Sequence, residues 1–161
     1  MENKELLKNI KQAANMENQA SLFYKHVALL SKDKRAGEML MQFSQDEDKH
    51  RRILEYVAES YRYNHEKFDF PDIGPPPEYG KHEASPLYSK KLAELTGEPK
   101  PVLVTLKEFA KKENKAIALY AELSESSDDV NSRKFFDSLV KWEENHLEAL
   151  ERQALAFESK R

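Results

Sequence analysis

Two short runs, Glu47-Asp48-Lys49-His50 and Glu143-Glu144-Asn145-His146, each place a carboxylate three residues before an imidazole. On an α-helix positions i and i+3 share a face, so both side chains can reach one ion, and each run is half of a metal site. The runs are related by an offset of 96 residues, and the same offset relates Glu17 to Glu113 and Tyr24 to Tyr120. Four Glu, two His and two Tyr thus repeat without a gap. The other three histidines provide a control: Phe23, Arg62 and Tyr79 stand three positions before His26, His65 and His82.

Two divalent ions need about six protein ligands plus bridges, and four carboxylates offset the charge of such a pair while two neutral imidazoles complete the set. By the pattern of a carboxylate-bridged dinuclear bundle, Glu17 and His50 are expected at one ion, Glu113 and His146 at the other, and Glu47 and Glu143 as bridges between them. Hard oxygen ligands with one nitrogen per ion favour iron or manganese over copper or structural zinc. Two iron ions are expected, since iron moves between its +2 and +3 states, with manganese as the alternative. Tyr24 and Tyr120 follow their helix Glu by seven residues, two turns along the same face. Each can donate a hydrogen bond to a ligating carboxylate across the bundle, or pack with its hydroxyl at the bundle end. Asp46, Asp48 and Glu144 flank the ligands on neighbouring faces and are expected to be solvated or weakly supporting.

These residues must be held by helices. From about 2 to 31, Leu6, Ile10, Ala13, Glu17, Ala20, Tyr24 and Val27 recur at three- and four-residue spacing. Glu17 lies within that apolar stripe, where a carboxylate lacking a partner costs several kcal/mol of desolvation, on the order of 3–5. Ser31 or Asp33 can cap a second helix, about 33 to 60, with the stripe Ala36, Leu40, Phe43, Glu47, His50, Leu54 and Val57. A third, about 101 to 125, carries Leu106, Phe109, Glu113, Ala116, Tyr120 and Leu123. A fourth, about 128 to 159, carries Ser132, Phe136, Leu139, Glu143, His146, Leu150, Gln153 and Phe157, with Asp128 and Asp129 suited to its positive end. Between about 61 and 101 lie all seven prolines and three of the four glycines. This stretch is either a functional crossover or a linker, and a short helix from Pro86 to Leu95 is expected within it. Its aromatic residues, Tyr61, Tyr63, Phe68, Phe70, Tyr79 and Tyr88, favour packing on the bundle. The fold class is therefore all-α, a four-helix bundle of two hairpins joined by a long crossover.

Composition narrows the function. The 161 residues suit one domain, 1–161, and charged residues make up 34% with only four Gly, as long amphipathic helices require. A net charge of −3 without a basic block argues against nucleic acid as a partner. No apolar run approaches the roughly 20 residues of a membrane span, and the N-terminus has no apolar leader-like stretch, so a cytoplasmic location is expected. There is no cysteine, hence no disulfide, zinc ribbon or cysteine-ligated iron in these residues.

The series Glu-Asn-Gln-Ala…Tyr, Glu-x-x-His, Glu-Asn-Lys-Ala…Tyr, Glu-x-x-His resembles the ferritin-like superfamily, and Ala20-Ser21-Leu22-Phe23-Tyr24 is most similar to its rubrerythrin branch. The resemblance covers both hairpins and implies a di-iron site that reacts with peroxide or dioxygen, rubrerythrins reducing hydrogen peroxide with electrons from a rubredoxin-like iron centre. Without cysteines, such a donor is expected to be a separate protein. Ala116 stands where rubrerythrins place an extra glutamate, leaving a symmetrical ligand set as in bacterioferritin. A homodimer is the expected assembly. Ferroxidase activity with iron storage, or a metal-binding bundle without turnover, are the alternatives. Storage ranks lower because cage ferritins add a fifth helix and none is expected after Phe157.

Overall fold

The computed structural model describes residues 3–30, 34–77 and 99–158, and within these the side chains of all but 35, 36, 99–104 and 153–158. Four helices account for most of them: α1 (Asn3–Leu30), α2 (Lys34–Asn64), α3 (Pro99–Glu125) and α4 (Val130–Glu158). Helix α1 packs along α2 and α3 along α4, and the two hairpins close face to face with α1 against α3. No strand occurs among the described residues, and no described helix is long and apolar enough to cross a membrane.

Each stripe forms a helix because its apolar residues have something to bury against. Leu40, Phe43, Leu54 and Val57 of α2 are fully buried, as are Phe136, Leu139 and Leu150 of α4. They fall into two apolar layers. One joins Tyr24, Val27, Leu40, Phe43, Leu106, Phe109 and Leu150; the other joins Ile10, Ala13, Leu54, Val57, Tyr120, Leu123, Phe136 and Leu139. Between them lies a layer of buried carboxylates and imidazoles. Where α1 crosses α2 beside that layer, two serines clasp reciprocally: Ser21 Oγ donates to the Ser44 carbonyl and Ser44 Oγ to the Ser21 carbonyl, both at 2.8 Å. Each buried hydroxyl is thereby satisfied, and the short side chains let the helices approach closely.

Asp129 caps α4. Its Oδ1 accepts from the Ser132 backbone N–H at 2.9 Å and its carbonyl from the Arg133 N–H at 3.2 Å. The turn before it is tied by Ser127 Oγ donating to the Leu123 carbonyl at 2.6 Å. Helix α2 runs four residues past the expected end near 60, because its last turn has tertiary anchors that a local pattern does not reveal. The Tyr61 hydroxyl donates to Asn3 Oδ1 at 2.9 Å, and its ring packs against Phe68 and Phe70. Tyr63, grouped with the packing aromatics, is instead 93% exposed.

After the turn at 65–67 the chain lies along α4. Phe70 packs on Phe135 and Phe136 with ring centroids 5.5 and 5.8 Å away. Trp142 Nε1 donates to the Gly74 carbonyl at 3.0 Å and Asn145 Nδ2 to the Pro77 carbonyl at 2.7 Å. Gly74 has φ +71°, a left-handed conformation that glycine adopts without strain, and its N–H turns back onto Asp72 Oδ1 at 2.9 Å. The expected helix from Pro86 to Leu95, Tyr79, Tyr88, and the capping residues Ser31 and Asp33 lie outside the described residues.

Candidate metal centre

Glu17 comes from the middle of α1, Glu47 and His50 from α2, Glu113 from α3, and Glu143 and His146 from α4. All six are at most 3% exposed. They form two overlapping groups, Glu17–Glu47–His50–Glu143 and Glu47–Glu113–Glu143–His146, in each of which one donor atom per residue lies within 4.8 Å of all the others. Glu47 and Glu143 belong to both. The hairpins interlock at this point: His50 Nδ1 is 3.2 Å from Glu143 Oε1 but 3.9 Å from Glu47 Oε2 on its own helix. His146 Nδ1 is likewise 2.6 Å from Glu47 Oε1 and 3.6 Å from Glu143 Oε2.

The tyrosines sit at the boundary between the polar layer and the two apolar ones, and cross the bundle. The Tyr24 hydroxyl donates to Glu113 Oε1 and the Tyr120 hydroxyl to Glu17 Oε1. Each thus links the first helix of one hairpin to the first helix of the other. Burial, with the charge of Glu113 next, keeps the Tyr24 pKa well above the usual tyrosine value; burial together with Glu143 and Glu47 does the same for Tyr120. Both hydroxyls therefore remain donors at neutral pH.

Four carboxylates in one dry layer repel one another, and without a metal the layer must hold protons instead. Burial, reinforced by the charges of Glu47 and Glu113, raises Glu143 well above the usual carboxylate range. Burial opposes a charge on His50, but Glu143 and Glu47 outweigh it and bring its pKa up to about 9. His146 is raised well above the ordinary histidine value against burial, by Glu47, Asp46 and Glu113. Glu47, which burial alone would raise, is held at about 2 by His146 and His50. Among the described residues neither oxygen of Glu47 has a hydrogen-bond partner, although Oε1 touches an imidazole nitrogen. Buried acceptors within 4.8 Å of the other carboxylates and imidazoles fit a cation as their partner.

Asp46, expected to be solvated or a weak support, is only 5% exposed, and His146 Nε2 lies 3.0 Å from its Oδ2. A step of one residue along α2 turns it about 100° from Glu47, into the seam that α4 closes, and local pattern does not show that this seam is covered. Asp48 follows the expectation, pairing with Arg51 and Arg52 at 2.8 and 2.7 Å on the partly exposed face, and Glu144 is exposed. Trp142, whose ring meets His50 edge-on with centroids 5.0 Å apart, was not singled out by spacing. Its only signals were its position next to Glu143 and its being the one Trp in the chain.

A pocket of about 280 Å³ opens onto the layer between α1 and α3. Glu17, Glu47, Glu113 and Glu143 form its inner wall, and Met16, Ala20, Ala116, Gln12, Gln19, Lys112 and Lys115 its sides and rim.

Searches of curated proteins and of solved structures returned no match. The family model described as Rubrerythrin matches residues 8–154. That span takes in both hairpins and all six converging side chains, so a ferritin-like bundle with a candidate di-metal layer is what the match and the geometry have in common. The chain belongs to the rubrerythrin family.

Proposed function

We propose that this protein is a di-iron oxidoreductase of rubrerythrin type, reducing hydrogen peroxide or dioxygen with electrons from a separate, rubredoxin-like donor protein. The observation that carries the reading is the pair of donor groups sharing Glu47 and Glu143 at the inner end of an open pocket. In this reading Glu17 and His50 would hold one ion and Glu113 and His146 the other, with Glu47 and Glu143 as the ligands shared between the two groups. The same donors fit manganese; iron is preferred because, when bound, an iron pair supplies two electrons to an oxygen species that needs two.

The chain's own residues provide the setting for that chemistry. Tyr24 and Tyr120 fix the orientation of Glu113 and Glu17 through hydrogen bonds from hydroxyls that keep their protons. The apolar layers, with Phe43 and Phe109 on one side and Leu54 and Phe136 on the other, keep bulk water from both ends. The pocket between α1 and α3 offers entry, and its size and polar rim suit a small oxidant. Ala116 lines that pocket without adding a seventh ligand. A homodimer in the cytoplasm is the setting we assign, and sedimentation tests the assembly.

The test is stopped-flow mixing of anaerobic, ferrous-loaded protein with peroxide and, separately, with dioxygen. Oxidation at two irons per chain, followed by re-reduction by a rubredoxin-like donor, is the expected result. Iron uptake far beyond two per chain would point to storage, and absence of oxidation by either reagent would overturn the proposal.

A further inference from the structure

The 96-residue offset that relates the six candidate ligands also relates Asp46 to Trp142, the residues immediately before Glu47 and Glu143. Ligand positions are thus repeated in kind, while the residues behind the two imidazoles are not. Building on the di-metal reading above, we propose that the two metal positions are inequivalent: the one served by His146 fills first and more tightly, and Asp46 and Trp142 set the difference.

Behind His146 stands a carboxylate. Asp46 is buried, its Oδ2 3.0 Å from His146 Nε2 and its Oδ1 accepting from Gln42 Nε2 at 3.1 Å. With Nε2–H donating to Asp46, the Nδ1 lone pair is directed at Glu47, Glu113 and Glu143, which lie 2.6, 3.5 and 3.6 Å from it. A carboxylate in this position selects the tautomer, holds the ring and makes the ligating nitrogen a better donor. Phe43, stacked on the same ring at 4.3 Å, limits its rotation further.

Behind His50 stands an indole. Trp142 meets the ring edge-on at 5.0 Å and 86°, and its Nε1–H is committed to the Gly74 carbonyl. The cation beyond it, Lys49 Nζ, lies 5.7 Å from the Trp142 ring centroid. His50 Nε2 is buried and has no hydrogen-bond partner among the described residues. The tautomer that frees Nδ1 for a metal therefore leaves a buried N–H unsatisfied on this side only. The same indole fastens the segment around Gly74 to α4, which accounts for a Trp at this position.

The experiment is anaerobic titration of the chelator-treated full chain with Co(II), followed by calorimetry and by the visible bands of the bound ion. Wild-type protein should take up two ions in steps separated by at least about tenfold in affinity. His146→Ala should lose the tight step and His50→Ala the weak one. Asp46→Asn should weaken the tight step about 10–100-fold and leave the weak step in place, as expected for a residue acting through the histidine it positions. Two equal steps in the wild type, loss of the tight step in His50→Ala, or an Asp46→Asn variant that shifts both steps alike would overturn the proposal while leaving the di-metal reading intact. Failure of the wild type to bind two ions would overturn both. The wild-type isotherm and the two histidine variants decide the matter even if Asp46→Asn does not fold, which circular dichroism reports.

Discussion

Raising the pH of the metal-free protein from 6.5 to 9 should destabilise it, and adding divalent metal should abolish the effect. The reason lies in His50, whose pKa rises on folding from 6.5 to about 9 because Glu143 and Glu47 outweigh burial. A group with a raised folded pKa contributes stability in full below its unfolded value, and that contribution is lost as pH climbs through the folded one. That rise corresponds to on the order of 3 kcal/mol. His146 and Glu143, also raised, act with the same sign. Glu47, held at about 2, contributes constant stability throughout this window. For a chain of this size about 3 kcal/mol is about 6–12 °C in Tm. Thermal unfolding in chelator at half-unit pH steps measures it, with His50→Gln as the control that should flatten part of the slope. Metal-free stability that holds level or rises between pH 6.5 and 9 would refute the reasoning, since the layer would then not be storing protons in place of cations.

Metal uptake near pH 7 should release protons, about one from His50 with the raised His146 and Glu143 adding to it, so apparent affinity should increase with pH; calorimetry in buffers of different ionisation enthalpy counts them. Glu47→Ala or Glu143→Ala should abolish binding of the metal pair, and two irons bound stoichiometrically by either variant would contradict the shared role. Tyr24→Phe and Tyr120→Phe should each reduce metal affinity about 10–100-fold by releasing Glu113 or Glu17, with the helical circular dichroism retained. Phe136→Ala, at a fully buried position in the layer beside the site, should cost about 3–5 kcal/mol in urea unfolding.

The helices and the placing of the six side chains on their buried faces were legible in the sequence because both depend on the 3.6-residue period. Glu17, Glu47, His50, Glu113, Glu143 and His146 each lie in phase with an apolar stripe, so whatever buries Leu40 and Phe43 also buries Glu47 and His50. The 96-residue offset adds that the two hairpins are alike. None of this depends on how the hairpins meet.

What lies one residue off the stripe does depend on it. Asp46 resembles Asp48 in type and spacing, yet Asp46 is enclosed and placed against His146 while Asp48 binds arginines at the surface. The last turn of α2 and the route of 68–77 along α4 are set by partners distant in the chain, Asn3, Phe135 and Trp142. The sequence by itself determined which side chains share a helical face, a local property of backbone geometry. Only the tertiary structure decided which second face each helix covers. That depends on the rotation and approach of one hairpin against the other, settled by the packing of the whole interior.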